Sequence, residues 1–234
     1  MQNVEEIRRY YDAILPFYDD SLADRGDLPF WESIAVRWDA ARILELGCGT
    51  GRVTEVLVRH ATVTAADLLV EMLWRASRTV PSAHLVAADL RQFAFAEPFD
   101  LIVLADDPMA HLISIDDRAR VLRLIAEHLT EGGRVVIEGL YRHGKSAPSQ
   151  NPRGPLIVEE SWSATGEPSI WKATYRYNKG PSSVAVSSVM RSWSRSDVAL
   201  LVEAGLHLEC LWGDFDESPF SDNSKRMIIV ARRS

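Results

Sequence analysis

One stretch, Arg42-Ile43-Leu44-Glu45-Leu46-Gly47-Cys48-Gly49-Thr50-Gly51-Arg52, limits the possible folds more than any other. Ile43, Leu44 and Leu46 form a short apolar run of the kind that makes a strand covered on both faces. The alternating glycines then let the backbone turn sharply with no Cβ between it and a ligand, and helical periodicity resumes through Val53, Val56 and Leu57. A strand, a glycine turn and a helix start in succession put free backbone N–H groups beside a pocket at the carboxyl end of a parallel sheet. Such a pocket suits a nucleotide-type ligand. A dinucleotide fingerprint needs glycine at 47, 49 and 52, but position 52 is Arg52, whose side chain obstructs both helix packing and pyrophosphate approach.

What stands instead is Glu45-x-Gly47-x-Gly49-x-Gly51, which resembles the first motif of class I S-adenosylmethionine (SAM) dependent methyltransferases. The resemblance implies that Gly47, Cys48, Gly49 and Gly51 pass beneath the methionine part of SAM, and that Glu45 helps to place its amino group. Thr62–Asp67 reads as the second parallel strand. Asp67, at its tip, stands where a carboxylate accepts both ribose hydroxyl protons, although an acid at a strand end also serves as a helix N-cap. The following segment, with Leu68, Leu69 and Met72, is expected against the adenosine. A third strand at residues 83–87 leads to Ala88-Asp89-Leu90-Arg91, which resembles the family's adenine motif. There Asp89 is expected to accept from the adenine amino group and the Leu90 N–H to meet a ring nitrogen; an Asx turn is the plainer alternative for Asp89.

The rest of the chain follows the same plan. Ile7, Tyr10, Tyr11, Ile14, Leu15 and Tyr18 recur at helical spacing, interrupted by Pro16, and predict two short helices or one kinked one. The resemblance implies that this segment covers the SAM pocket, with Tyr11 and Tyr18 facing the methionine end or the acceptor; tyrosines that merely pack remain the alternative. The apolar run Phe99–Leu104 is expected to lie beside the first strand and to deliver Ala105-Asp106-Asp107-Pro108-Met109-Ala110-His111-Leu112 to the rim where open α/β sheets do their chemistry. Strand five is expected at residues 134–138, after the turn Glu131-Gly132-Gly133. Residues 141–155 read as a loop or flap because of Gly144, Pro148, Pro152, Gly154 and Pro155. Three strand-like runs at residues 156–163, 170–178 and 184–193 predict a three-stranded antiparallel insert whose Trp162, Trp171, Tyr175, Arg176 and Tyr177 line an acceptor pocket or form the insert's own core. Ser194 to Asp197 caps a last helix, and two final strands close the sheet, with the acidic and aromatic loop Gly213-Asp214-Phe215-Asp216 between them.

The expected fold is therefore α/β, a Rossmann-like class I methyltransferase sheet, mostly parallel with a C-terminal antiparallel strand, plus a small antiparallel β insert. It forms one domain over residues 1–234: a helical cap at 1–40, a SAM-binding core at 41–140, the insert at about 155–193, and a helix and strand pair at 194–234. At 47% hydrophobic the chain can bury a large core, and its formal charge of -7 argues against a backbone-driven nucleic-acid binder. The two cysteines, Cys48 and Cys210, read as reduced thiols, which together with a polar start lacking a signal-peptide core suggests a cytoplasmic protein without a membrane partner.

The expected chemistry is in-line transfer of the SAM methyl group to a nitrogen or oxygen of a small metabolite or natural product, with S-adenosylhomocysteine leaving. His111 is the candidate base, an imidazole near neutral pKa at the sheet rim, with a capping or packing role as its alternative. Asp106 is the candidate group for orienting an amine or His111. Adjacent Asp106 and Asp107 do not make a chelating set, so no metal is expected. The partners expected are a small-molecule acceptor and no nucleic acid, the chain working as a monomer or homodimer. A protein or RNA methyltransferase shares the same core but should present an extended docking surface, basic for RNA. A non-catalytic SAM-binding regulator is the other rival.

Overall fold

The computed structural model describes residues 4–23, 25–142, 148–224 and 226–233. Its strands, in chain order, are β1 (Arg42–Leu46), β2 (Thr62–Asp67), β3 (His84–Ala87), β4 (Phe99–Leu104), β5 (Leu129–Leu140), β6 (Ser149–Arg153), β7 (Leu156–Ala164), β8 (Ile170–Lys179), β9 (Ser182–Arg191), β10 (Leu206–Trp212) and β11 (Arg226–Arg233). The helices are α1 (Val4–Ile14), α2 (Tyr18–Leu22), α3 (Leu28–Arg37), α4 (Thr54–Leu57), α5 (Val70–Thr79), α6 (Ile115–His128) and α7 (Ala199–Glu203). Among the described residues no helix is long and apolar enough to cross a membrane.

Seven strands form the main sheet in the order β10-β11-β5-β4-β1-β2-β3. The pairs from β5 to β3 are parallel, whereas β11 runs antiparallel to both β5 and β10. This is the expected α/β architecture. It is doubly wound because strand residues alternate between two covered faces. Ile102 and Leu104 of β4 enter one apolar cluster with α6 and α7, while Leu101 and Val103 enter the other with α3 and α4. The chain runs from β1 to β2 on one side and returns to β4 on the other, so the carboxyl ends of β1 and β4 flank a crevice at the point where strand order reverses.

The insert departs from expectation. It has four strands, ordered β6-β7-β8-β9, and begins at Ser149 rather than near 155. The residues read as loop-forming do not prevent β6, because β6 is an edge strand and Pro152 needs no N–H partner on its open side. Within the stretch read as a loop, residues 143–147 lie outside the described residues. Strand five is also longer than expected: it begins at Leu129, and its pairing with β4 shifts register between Phe99 and Leu101.

The cap and insert share a third apolar cluster that includes Tyr10, Ile14, Phe17, Trp162, Tyr177 and Met190. Phe17 stacks on Tyr177 with ring centroids 6.0 Å apart, and Lys179 pairs with Asp20. On its other side the cap is tied to the glycine turn by Thr50 Oγ1, which donates to Asp19 at 2.7 Å. Cap, insert and sheet rim therefore enclose a common space.

Candidate functional site

The turn after β1 is held from below by β2, since Gly47 N and Cys48 N both donate to the Ala66 carbonyl at 2.8 and 3.0 Å. Gly47 and Gly49 have φ of +78° and +55°, the left-handed region, and a Cβ at Gly47 would meet Pro108 at 2.5 Å while one at Gly49 would meet the Tyr18 hydroxyl at 2.6 Å. Backbone thus borders a narrow cleft that also contains Tyr11, Tyr18, Asp67, Leu68, Met72, Asp89, Leu90 and Ala105. Asp67 accepts from Gly49 N at 2.8 Å and from Leu69 N at 2.9 Å, one bond to each oxygen. A carboxylate offers about four acceptor positions, so capacity for a diol remains. Burial raises its pKa above the usual carboxylate value.

Three further residues of the motif, Glu45, Cys48 and Gly51, are not among the residues lining this cleft. Glu45 is buried and accepts from Thr54 Oγ1 at 2.5 Å, and burial pushes its carboxyl up to about 8. Cys48 is buried, with Sγ 3.8 Å from the Gly49 carbonyl, and burial raises its thiol pKa strongly. Gly51 faces α5, where a Cβ would meet Val80 at 2.9 Å and Ala76 at 3.4 Å, so helix packing accounts for it. Arg52, which excluded a dinucleotide, makes a bidentate pair with Asp27 at 2.7 and 2.8 Å and ties the turn to the start of α3. Asp89 faces the cleft, but its carboxylate already accepts from Arg91 Nε and Nη2, and these bonds hold its pKa down.

Beyond the cleft, a second cavity of about 370 Å³ opens between the sheet rim, α1, α2 and the insert. Tyr11, Tyr18, Asp106 and His111 line both spaces and form the wall where they meet. His111 ends the 3₁₀ turn Pro108–His111, and Tyr11 Oη lies 3.2 Å from its Nε2. The near-neutral imidazole expected there is corrected, because burial pushes His111 down to about 4 and keeps it uncharged at neutral pH. Its position is fixed by buried Arg118, whose guanidinium donates to the carbonyls of Met109, Leu112 and Arg191.

Asp106 and Asp107 leave β4 with φ of +57° and +44°, consecutive non-glycine residues in the left-handed region, and strain of this kind concentrates at functional sites. Arg25, from the connection between α2 and α3, reaches across to pair with Asp106, with Glu138 at the end of β5, and with Asp27. Glu138 also accepts from the Asp106 backbone N–H at 2.8 Å and lies 3.4 Å from Arg226. Asp107 accepts from Leu140 N at 2.7 Å and from Trp193 Nε1 at 3.4 Å, and burial pushes it up to about 6.

Of the insert aromatics, Trp162, Tyr175 and Tyr177 line the second cavity. Trp171 turns to Ser192 Oγ at 3.2 Å, and Arg176 pairs with Glu159. The Gly213 to Asp216 loop acts at one remove: Phe215 lies under the Arg226 guanidinium and Asp214 pairs with it, holding Arg226 toward the cavity. Sequence reasoning missed Arg25, Glu138, Arg118 and Arg226. Glu138 carried a usable signal, an acid at the tip of an apolar parallel strand, the same one that singles out Asp67. Among the described residues no cluster suited to a metal ion is present.

Residues 43–133 match a family model described as a methyltransferase domain. The dTDP-4-amino-2,3,4,6-tetradeoxy-D-glucose N,N-dimethyltransferase of Saccharopolyspora spinosa is 37% identical over 101 residues, 43% of this chain and 41% of that protein. A trans-aconitate 2-methyltransferase of Azoarcus sp. is 39% identical over 103 residues, 43% of this chain and 39% of that protein. The chain thus spans about two fifths of the length of these curated relatives. Among solved structures, the SAM-bound amino pentose methyltransferase CalS10 of Micromonospora echinaspora shares the fold, with a TM-score of 0.77 at 20% identity over 94% of this chain and 96% of that one.

Proposed function

We propose that this chain, a class I SAM-dependent methyltransferase by its fold and by the methyltransferase domain at residues 43–133, transfers a methyl group to a nitrogen or oxygen of a small metabolite or natural product. The observation that carries this reading is the meeting of the two spaces at Tyr11, Tyr18, Asp106 and His111. The residues of the cleft suit SAM: glycine backbone for the methionine part, Asp67 for the ribose, and Asp89 and the Leu90 N–H for the adenine. SAM supplies an electrophilic methyl group on a sulfonium, with S-adenosylhomocysteine as the other product.

The chain's own task is placement. Holding a nucleophile in line with the methyl group is worth up to ~7–11 kcal/mol of barrier in favourable intramolecular models. Tyr11 and His111 bound the path, and neutral His111 is able to take the acceptor's proton or its hydrogen bond. The cap and insert enclose the acceptor cavity, which supports a small acceptor over a protein or RNA surface. We place the enzyme in the cytoplasm as a monomer or homodimer, with no nucleic-acid, membrane or metal partner.

Labelled SAM should pass its methyl group to at least one member of a panel containing an amino-sugar nucleotide, a tricarboxylate and a free peptide N-terminus. His111→Ala should reduce turnover about 10²-fold, the lower end of general acid–base effects. SAM binding without transfer to any acceptor would favour a regulatory protein, and full turnover by His111→Ala would remove the base role.

A further inference from the structure

The acceptor cavity is lined by four arginines, Arg25, Arg142, Arg153 and Arg226, and by four acids, Asp106, Asp107, Glu138 and Glu160. These charges are not evenly matched through the cavity. At the sheet rim, Arg25 engages Asp106 and Glu138, and Arg226 adds a second cation beside Glu138. Asp107 is satisfied by the Leu140 N–H and the Trp193 indole. On the insert side Glu160 takes Arg142 at 3.4 Å and the Ser149 hydroxyl at 3.2 Å. Arg153 is left over, since among the described residues its side chain enters no ion pair.

The placement of Arg153 follows from the strand period. In β6, Ser149, Asn151 and Arg153 are half-buried while Gln150 and Pro152 are exposed, so Ser149, Asn151 and Arg153 share one face. Asn151 and Arg153 line the cavity, as do Val158 and Glu160 of the adjoining strand β7, and β6 is registered with β7 through Asn151 opposite Val158 and Arg153 opposite Leu156. Arg142 lies over the Trp162 ring with Cζ 4.1 Å from its centroid, which places a guanidinium beside this face. Guanidinium groups in a fixed plane bind the planar or tetrahedral oxygens of carboxylates and phosphates through paired N–H bonds.

We propose that Arg153, with Arg142 and Asn151, holds an oxyanion carried by the acceptor, of carboxylate or phosphate type, and so directs the acceptor's nucleophilic atom to the wall formed by Tyr11 and His111. This names a substrate class for the methyl-transfer site and rests on that reading. The neutralised rim leaves room for a nucleophile, and the surplus cation on the insert anchors the far end of the same molecule.

Two probes separate the sources of the oxyanion. Pyrophosphate and tricarballylate are titrated calorimetrically, each in turn, into the full chain at low salt, with and without S-adenosylhomocysteine. One of them should bind at 1:1, Arg153→Gln should weaken that binding about tenfold, and Arg153→Lys should weaken it less. Pyrophosphate binding alone identifies a phosphate-type acceptor, tricarballylate alone a carboxylate. Binding of S-adenosylhomocysteine should stay within twofold in both variants, which also reports that they are folded. With an acceptor that turns over, Arg153→Gln should raise KM at least fivefold and leave kcat within twofold. The proposal is overturned if neither probe binds the wild-type chain, if Arg153→Gln binds as tightly as wild type, or if kcat falls at unchanged KM. Arg153-dependent probe binding without methyl transfer to any acceptor keeps the oxyanion site and removes only the methyltransferase reading.

Discussion

The cleft beside Gly47 and Gly49 is shaped where two glycines carry no Cβ, whereas the cavity behind His111 is bounded by side chains from the cap, the β4 and β5 tips, the insert and β11. In the cleft, the shape is set where a Cβ is forbidden and where Asp67 ties two backbone N–H groups together. In the cavity it is set by ion pairs such as Arg25 to Glu138 and by aromatic contacts such as Phe17 on Tyr177. A backbone-built site presents one shape to one ligand. A side-chain site changes its acceptor when a few residues change, with no cost to the sheet that supports it.

Arg25 is the place where the two sides are most exposed to a single change. It is largely buried, and Asp106, Glu138 and Asp27 raise its pKa against the effect of burial. Arg25→Ala leaves Glu138 with Arg226 alone and part-exposed Asp106 without its cation, a loss below the about 3–5 kcal/mol of a fully uncompensated buried pair and limited further by the ability of Glu138 to take up a proton. Urea unfolding should show that loss. If Arg25 serves only the acceptor side, S-adenosylhomocysteine affinity of the folded variant stays near wild type.

Gly49→Ala strikes the cleft alone. A left-handed alanine costs about 1–2 kcal/mol, and its methyl group must displace Tyr18, so donor affinity should fall about tenfold or more in a calorimetric titration. Acceptor KM measured at saturating SAM should change little. A rise in acceptor KM equal to the loss of donor affinity would show that Tyr18 couples the two spaces.

A separate effect concerns Glu45, which lines neither space. Its folded-state pKa of about 8 lies above the unfolded value of 4.5, so between those limits the folded chain retains a proton that the unfolded chain releases. The stabilisation from this group is present below about pH 4.5 and is lost as pH rises through 8. Glu45→Gln should therefore flatten the decline in melting temperature across that range and gain most near pH 8, by roughly 2–4 °C for each kcal/mol recovered. An unchanged slope would mean that Glu45 is ionised in the folded chain.

The same contrast decides how much could be read without coordinates. The strands Thr62–Asp67 and Phe99–Leu104 coincide with their apolar runs, because strands covered on both faces leave an uninterrupted signal. That Gly47, Gly49, Asp67 and Asp89 meet at one cleft is legible because local turns after β1, β2 and β3 place them. Glu45 and Gly51 match the same spacing yet do not line the cleft, since spacing fixes position along the chain and leaves burial undetermined. Arg25 carried no signal at all. Its partners Asp106 and Glu138 lie 81 and 113 residues away. Strand β6 was hidden by Pro152, which only an edge position tolerates.

The proposed division between a donor cleft at Asp67 and an acceptor cavity at Trp162 is tested most directly by calorimetric titration of S-adenosylhomocysteine into the wild-type chain, Asp67→Asn and Trp162→Ala. The wild-type chain should bind one equivalent. Asp67→Asn, which loses charge-assisted hydrogen bonds worth about 1.5–3 kcal/mol, should bind at least tenfold more weakly, and Trp162→Ala within twofold of wild type. No binding by the wild-type chain, or equal losses in the two variants, would contradict it.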